Sequence, residues 1–232
     1  MSTRPYGIIC PITLACDQLE PRWTIPILTE MWSGSSRFSD IRRGVGNISS
    51  ALLSKRLSEM RDKGLIDRIE DPATGHISYL RTDMSIALEP ALNALAVWAQ
   101  QYVAAEQSAS ENNLPALMFK LRRGIIKSAL PARRVVVRFH FSDVDCQYDT
   151  YWLLVQPNKD VELCTSVPGF DVDLFVETTL TSMTRVLLAR STVAQECDQG
   201  HTFISGDAAL ARTANRWFPK SDYADVEGIA VA

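Results

Sequence analysis

Between Arg37 and Arg56 the chain carries five basic residues, Arg37, Arg42, Arg43, Lys55 and Arg56. Asp40 is the one acid there, so the segment has a net charge of +4 in a chain whose formal charge is −3. Four hydroxyls, Ser39, Ser49, Ser50 and Ser54, are interleaved with these cations, and His76 and Arg81 follow. Guanidinium and ammonium groups neutralise phosphates, and short polar side chains reach base edges. That chemistry is recognition of nucleic acid without bond making. The plainer reading of the same charges is a solvated helical face. Because the whole chain is acidic, any DNA affinity must come from this local patch.

The chemistry of an enzyme is absent from the pattern. His76, His140 and His201 lie far apart, with no metal-ligand spacing. There is no GxSxG, no GxGxxG after a strand and no phosphate-cradling glycine loop. No catalytic residue, metal or cofactor is expected. Asp143 and Asp145 read as a solvated acidic turn, and Asp171 and Asp173 as polar-face residues beside a strand. The five cysteines, Cys10, Cys16, Cys146, Cys164 and Cys197, are odd in number and form no CxxC. This pattern predicts neither a disulfide framework nor a zinc site, and it fits a reducing, cytoplasmic compartment. No apolar run approaches the ~18 residues of a membrane helix. No secretory signal is read before Cys10-Pro11, and no membrane partner is expected.

The elements that must hold the basic cluster are legible around it. Arg37 to Arg43 reads as a short helix, and Gly44-Val45-Gly46-Asn47 as a turn whose two glycines take unusual backbone angles. Ser49 or Ser50 caps a second helix that Gly64 closes. Leu65 to Glu70 and His76 to Leu80 are two strands joined by the turn Pro72-Ala73-Thr74-Gly75. Helix, turn, helix and hairpin in that order make a winged helix-turn-helix, whose second helix enters a DNA major groove. At about 100° per residue, Leu53, Leu57 and Met60 share the core face of that helix. Ser50, Ser54 and Lys55 point away from it, toward base edges or nearby phosphates. Arg56 lies nearer the core flank and either reaches a phosphate or pairs with Glu59. Upstream, Trp23 to Trp32 forms a helix with Ile27, Leu28 and Met31 inward and Pro26 in its first turn. Downstream, Met84 to about Gln107 reads as a long helix that starts or bends at Pro90. Its stripe of Leu88, Leu92, Leu95, Ala99 and Tyr102 packs within the monomer or forms a dimer interface, with the dimer favoured.

Glu106 to Asn113 is small and polar, a linker, and the pattern changes after it. Leu114 to Leu130 reads as a basic amphipathic helix. Strands follow at Val135–Phe141, Tyr151–Val155, Val161–Thr165 and Val172–Glu177. A helix Leu180 to about Ala194, a short strand at Phe203-Ile204, and a helix Ala208–Trp217 capped by Asp207 complete the half. The fold class is therefore α+β, in two domains, 1–107 and 114–232.

The first half resembles the HxlR family of transcriptional regulators, relatives of the MarR-type winged helices. The residues that carry the resemblance are Cys10-Pro11, Arg22-Trp23-Thr24, Arg37-Phe38-Ser39-Asp40-Ile41-Arg42, Leu52-Leu53-Ser54-Lys55-Arg56-Leu57 and Gly64-Leu65-Ile66. It implies a homodimer that binds a palindromic operator in double-stranded DNA and usually represses. The DNA contacts expected from the charge cluster and the helix faces are Arg37, Ser39, Arg42, Arg43, Ser49, Ser50, Ser54, Lys55 and Arg56. Where the family's wing carries a basic residue, this chain has Gly75-His76-Ile77. His76 is then either a minor-groove contact or plain surface. Arg81-Thr82 replaces the usual Leu-Thr, which offers Arg81 to a phosphate. Cys10 matches a cysteine that some relatives use as a redox switch; the alternative is a small buried apolar residue.

The second half resembles sterol carrier protein type 2-like domains, through Val172–Thr179, Phe203–Leu210 and Ala211–Phe218. That implies a five-stranded sheet with helices around an apolar tunnel. Phe139, Phe141, Trp152, Phe175 and Phe203 either line such a tunnel for a hydrophobic effector or fill a core. Together the two halves read as a dimeric DNA-binding regulator with a C-terminal domain that senses a hydrophobic ligand. The alternative is a hydrophobic-ligand carrier whose winged domain only dimerises.

Overall fold

The computed structural model describes residues 6–20, 22–105, 109, 113–145 and 148–229. The linker expected over Glu106–Asn113 lies outside the described residues apart from Ala109 and Asn113, and so does Cys146. The chain divides into two compact units, residues 1–93 and 94–232.

The first unit contains helices α1 (Pro11–Leu19), α2 (Thr24–Trp32), α3 (Phe38–Val45) and α4 (Ser50–Asp62), then strands β1 (Ile66–Glu70) and β2 (Ile77–Arg81) and the short helix α5 (Asp83–Ile86). The two strands pair antiparallel, with Ile66 opposite Arg81 and Glu70 opposite Ile77. Ile27, Leu28, Ile41, Leu53, Leu57, Met60, Leu65 and Ile66 form one apolar core with almost no solvent exposure. This is the winged helix-turn-helix order. The two glycines of the expected turn act differently. Gly46 ends α3 with φ 87, a conformation that disfavours a side chain. Gly44 lies inside α3, where a Cβ would meet the Glu30 carboxyl carbon at 2.0 Å. Its role is close approach, because Glu30 is itself buried and bonded by the Ser35 hydroxyl at 2.6 Å.

Helix α6 (Glu89–Tyr102) starts with Pro90 in its first turn rather than bending there. The stripe read along it is covered only at its start. Leu92 is buried, whereas Leu95, Trp98 and Tyr102 are 53%, 55% and 71% exposed.

In the second unit, β3 (Val135–Phe141), β4 (Thr150–Val155), β5 (Glu162–Cys164), β6 (Leu174–Thr178) and β7 (Thr202–Gly206) form one sheet in the order β5-β4-β3-β6-β7. The central β3–β6 pair is parallel and the other pairs are antiparallel. Helices α7 (Leu114–Gly124), α8 (Leu180–Leu187), α9 (Val193–Asp198), α10 (Ala208–Arg212) and α11 (Ala214–Trp217) contribute to the main core with one face of the sheet. Three expected helices are shorter than their apolar patterns. α7 stops at Gly124, where a Cβ would sit 2.5 Å from Pro219 Cβ. The Ala208–Trp217 run breaks at Thr213.

The Leu180–Ala194 run breaks after α8 because Ala189 takes φ 57. The amide of Arg190 bonds the Arg185 carbonyl and that of Ala189 the Val186 carbonyl, the pairing of a Schellman end. Glycine normally holds this position, since a left-handed L-residue costs about 1–2 kcal/mol. Ala189→Gly should therefore stabilise the second unit by about 0.5–1 kcal/mol, read as a higher urea midpoint at unchanged slope.

Three acidic residues of this unit have structural partners. Asp143 is not a solvated turn residue, because both its carboxylate oxygens accept from the Leu180 amide, at 2.8 and 3.1 Å. Asp173 accepts from the Val136 amide and from Arg133, and Asp207 caps α10 through the Ala209 and Leu210 amides.

Candidate nucleic-acid interface

Helix α4 begins where Ser49, in extended conformation, accepts the Leu52 amide at 3.2 Å. Ser49 is the cap, and Ser50 is the first helical residue. The helix ends at Lys63 and Gly64, with the Leu65 amide on the Met60 carbonyl and the Gly64 amide on the Arg61 carbonyl. Leu53, Leu57 and Met60 are buried in one core with Ile27, Leu28 and Ile66, so Ser50, Ser54 and Lys55 project outward. Arg37, Ser39, Arg42 and Arg43 are exposed at the start and along the outer face of α3. Nine of the eleven expected contacts are thus solvent-accessible: these four, Ser49, Ser50, Ser54, Lys55 and, on the wing, His76.

The remaining two are tied down. The Arg56 side chain is 15% exposed and pairs with Glu59. On the core flank, it has the Glu59 carboxylate as its partner. Arg81 is 24% exposed, pairs with Glu89 and lies over the Trp32 ring at 5.5 Å. By contrast Lys55 is 53% exposed and only 3.9 Å from Glu59, and Arg43 is 3.6 Å from Asp40 across an exposed helix face. Pairs of that kind are weak and yield readily to a phosphate. The wing turn is built on Asp71, which accepts the Ala73 amide at 2.8 Å and the Thr74 hydroxyl. Those bonds, the Ala73 amide first, hold its carboxyl below the ordinary range.

The HxlR-like helix-turn-helix family matches residues 18–107. The uncharacterized HTH-type transcriptional regulator YvaP of Bacillus subtilis is 36% identical over 97 residues, which cover 41% of this chain and 90% of that protein. The chain belongs to the HxlR-like helix-turn-helix family. A second relative, the uncharacterized HTH-type transcriptional regulator YtfH of Escherichia coli, is 31% identical over 38% of this chain and 71% of its own length. Among solved structures, the reduced form of the transcriptional regulator YodB from B. subtilis is 26% identical, covering 41% of this chain and 96% of that one, at a TM-score of 0.36. The family match ends at residue 107, before the five-stranded sheet begins at Val135.

Cys10 immediately precedes α1 and is half-buried, not a core residue. The first-turn amides of Thr13 and then Ile12 face its sulfur without closing a cap, and they lower the thiol pKa. Burial, assisted by neighbouring acids, pushes the Cys164 and Cys197 thiols up. Thiolate is the nucleophile, so a short iodoacetamide pulse at pH 7 should label Cys10 before Cys164 and Cys197. Peptide mass spectrometry reads the order, and equal labelling of the three would contradict it.

The five rings offered as an apolar tunnel are not brought together. Side chains alternate across a strand, so Phe139 and Phe141 enter the helix-covered core while Trp152, Phe175 and Phe203 lie on the opposite face. Phe139 and Phe141 have no significant exposure and pack edge-on against Phe218 and Tyr151. Phe203 is 64% exposed. Among the described residues, no group of three His, Cys, Asp or Glu side chains is placed to hold a metal ion, and no helix is long and apolar enough to cross a membrane.

Proposed function

We propose that this protein is a homodimeric, operator-binding transcriptional regulator, acting as a repressor, whose sterol-carrier-like second domain senses a small molecule. The observation that carries the DNA reading is the outer face of α4. It presents Ser50, Ser54 and Lys55 opposite a fully buried Leu53-Leu57 face, with Arg42 and Arg43 of α3 also exposed. A cationic face with short hydroxyls at a helix start suits base reading by α4 and phosphate anchoring by α3. The descriptions of the relatives as HTH-type transcriptional regulators support the same reading.

The apolar surface supports the dimer. Leu95, Trp98 and Tyr102 recur at i, i+3 and i+7 on one exposed face of α6, with the Trp98 and Tyr102 rings 6.1 Å apart. In the first unit, α1 buries none of its residues and leaves Ile12 and Leu14 exposed. Large exposed apolar side chains on a helix face mark an association surface. Trp98→Glu should shift the mass measured by light scattering from dimer toward monomer and weaken operator binding. An unchanged mass would remove α6 from the interface.

Selection of bound duplex from a random pool at moderate salt tests the function. A palindrome with half-sites about one helical turn apart is the expected product. Enrichment of no sequence, with binding lost at modest salt, would leave phosphate attraction alone and end the regulator reading.

A further inference from the structure

Helix α6 ends inside the second unit, and two side chains hold its end. Arg190 donates from Nε to Gln100 Oε1 at 3.0 Å, from Nη2 to the Ala99 carbonyl at 3.2 Å, and from Nη1 to the Val103 carbonyl. Gln100, which is buried, returns a bond from Nε2 to the Leu188 carbonyl at 2.7 Å. A fixed cation on the last carbonyls of a helix satisfies orphan acceptors and opposes the negative end of its dipole. The clasp therefore fixes the last turn of α6 to the turn Leu188–Arg190. That turn has Ala189 at its centre, in the left-handed conformation described above.

The same turn lines a groove of about 680 Å³, within the range of small-molecule sites. Its apolar floor includes Val186, Val193 and Phe218, all buried. Its lining also includes Ala189, Ser191, Asp222 and Asp225, with Lys220 the one cation among the lining residues. An apolar floor beneath two acids and one base favours a ligand with a greasy body and a positive charge.

We propose that this groove binds a small organic cation with an apolar body, and that its occupancy alters operator affinity through Arg190 and α6. The regulatory half of this inference rests on the operator-binding reading. A ligand shifts an equilibrium only by its differential affinity for two states. Here the two states are the Leu188–Arg190 turn as described, with Ala189 left-handed and the clasp closed, and a relaxed turn with the clasp released. Ala189 lines the groove and sits between Leu188 and Arg190, the two residues that the clasp holds, so a ligand packed against it distinguishes between the two states. This assigns the sensor to a groove among α8, α9, α11 and the C-terminal segment, away from the rings on either face of the sheet.

The test uses the full chain and two probes of near-identical shape and opposite charge, tetraphenylphosphonium and tetraphenylborate. Calorimetry should show one saturable site per chain for the cation and at least about tenfold weaker binding of the anion. Asp222→Asn/Asp225→Asn should weaken the cation about tenfold, and Ser191→Trp, which fills the groove, should abolish binding. Operator affinity should then change at least fivefold on adding the cation to wild type, within the usual span of allosteric coupling. Arg190→Met should bind the cation and show no such change. No saturable binding, equal binding of both probes, or binding indifferent to the groove substitutions overturns the site. Binding in the groove with operator affinity unmoved overturns the coupling. Whether the ligand-free wild type selects a palindrome is scored separately, so a failure of the operator reading is distinguishable from a failure of the groove.

Discussion

Replacing Arg42 and Lys55 together with glutamate is expected to lower operator affinity by about 100-fold or more while leaving the first unit folded. Both side chains are exposed, and neither contributes to the core built on Leu53, Leu57 and Met60. Lys55 has only a 3.9 Å contact with Glu59, which keeps Arg56 as its close partner when the lysine is removed. Each lost phosphate contact removes about 0.9 from the slope of log affinity against log salt. Two contacts should therefore flatten that slope by about 2, and charge reversal adds repulsion to the loss. A fluorescence-anisotropy titration at several salt concentrations reads both quantities. A variant that keeps the wild-type slope would show that α3 and α4 do not face phosphate. Arg56→Glu is a poorer probe, because the substitution would bury an acid beside Glu59 and report on stability instead.

The second large effect concerns the sheet. Gly206 ends β7 with φ 113, opposite Leu174 on β6. A Cβ there would lie 2.4 Å from the Asp173 carbonyl oxygen and 3.2 Å from Leu174 Cα, both backbone atoms that cannot rotate away. The Asp207 amide also bonds that Asp173 carbonyl at 2.8 Å, so the segment cannot withdraw without losing a sheet contact. Gly206→Ala should cost about 3–5 kcal/mol from backbone strain and the clash together. The unfolding transition of the second unit should fall by about 10 °C or more. Calorimetry checks this, and the transition of the first unit provides the internal reference. A fall of only a degree or two would mean that β7 and β6 separate easily.

The same residues explain what could be read in advance. Caps and core faces were legible because they depend on neighbours in the chain: Ser49 before Leu52, Gly64 after Lys63, and Leu53, Leu57 and Met60 at helical spacing. Gly44 was not legible as a contact residue, since its requirement comes from Glu30 on another helix. The Glu59 partner of Arg56 was legible as one of two alternatives, whereas the Glu89 partner of Arg81 was not, because packing settles both, Glu59 by the roll of α4 and Glu89 by the start of α6. Leu95 and Tyr102 matched a helical stripe, but a stripe does not say whether its cover is the same chain. The break at Ala189 carries no glycine or proline to announce it. The period-two alternation that separates Phe139 from Trp152 was present in the sequence.

The parallel pairing at the centre of the sheet has a consequence for synthesis. Strand β3 must find β6 across residues 142–173, whereas β3, β4 and β5 are sequential antiparallel neighbours. Closing such a loop costs entropy before any contact rewards it, so non-local pairings form late. On a translating ribosome the local contacts of the first unit, whose core residues all precede residue 93, are complete while β6 and β7 are still unmade. In that interval β3 exposes an unpaired edge rich in Val and Phe, the kind of strand that seeks the wrong neighbour. The nascent chain is thus most prone to misassociation after β3 has emerged and before β6 arrives, and a slower growth temperature should raise the soluble yield of the full chain more than that of its first unit alone.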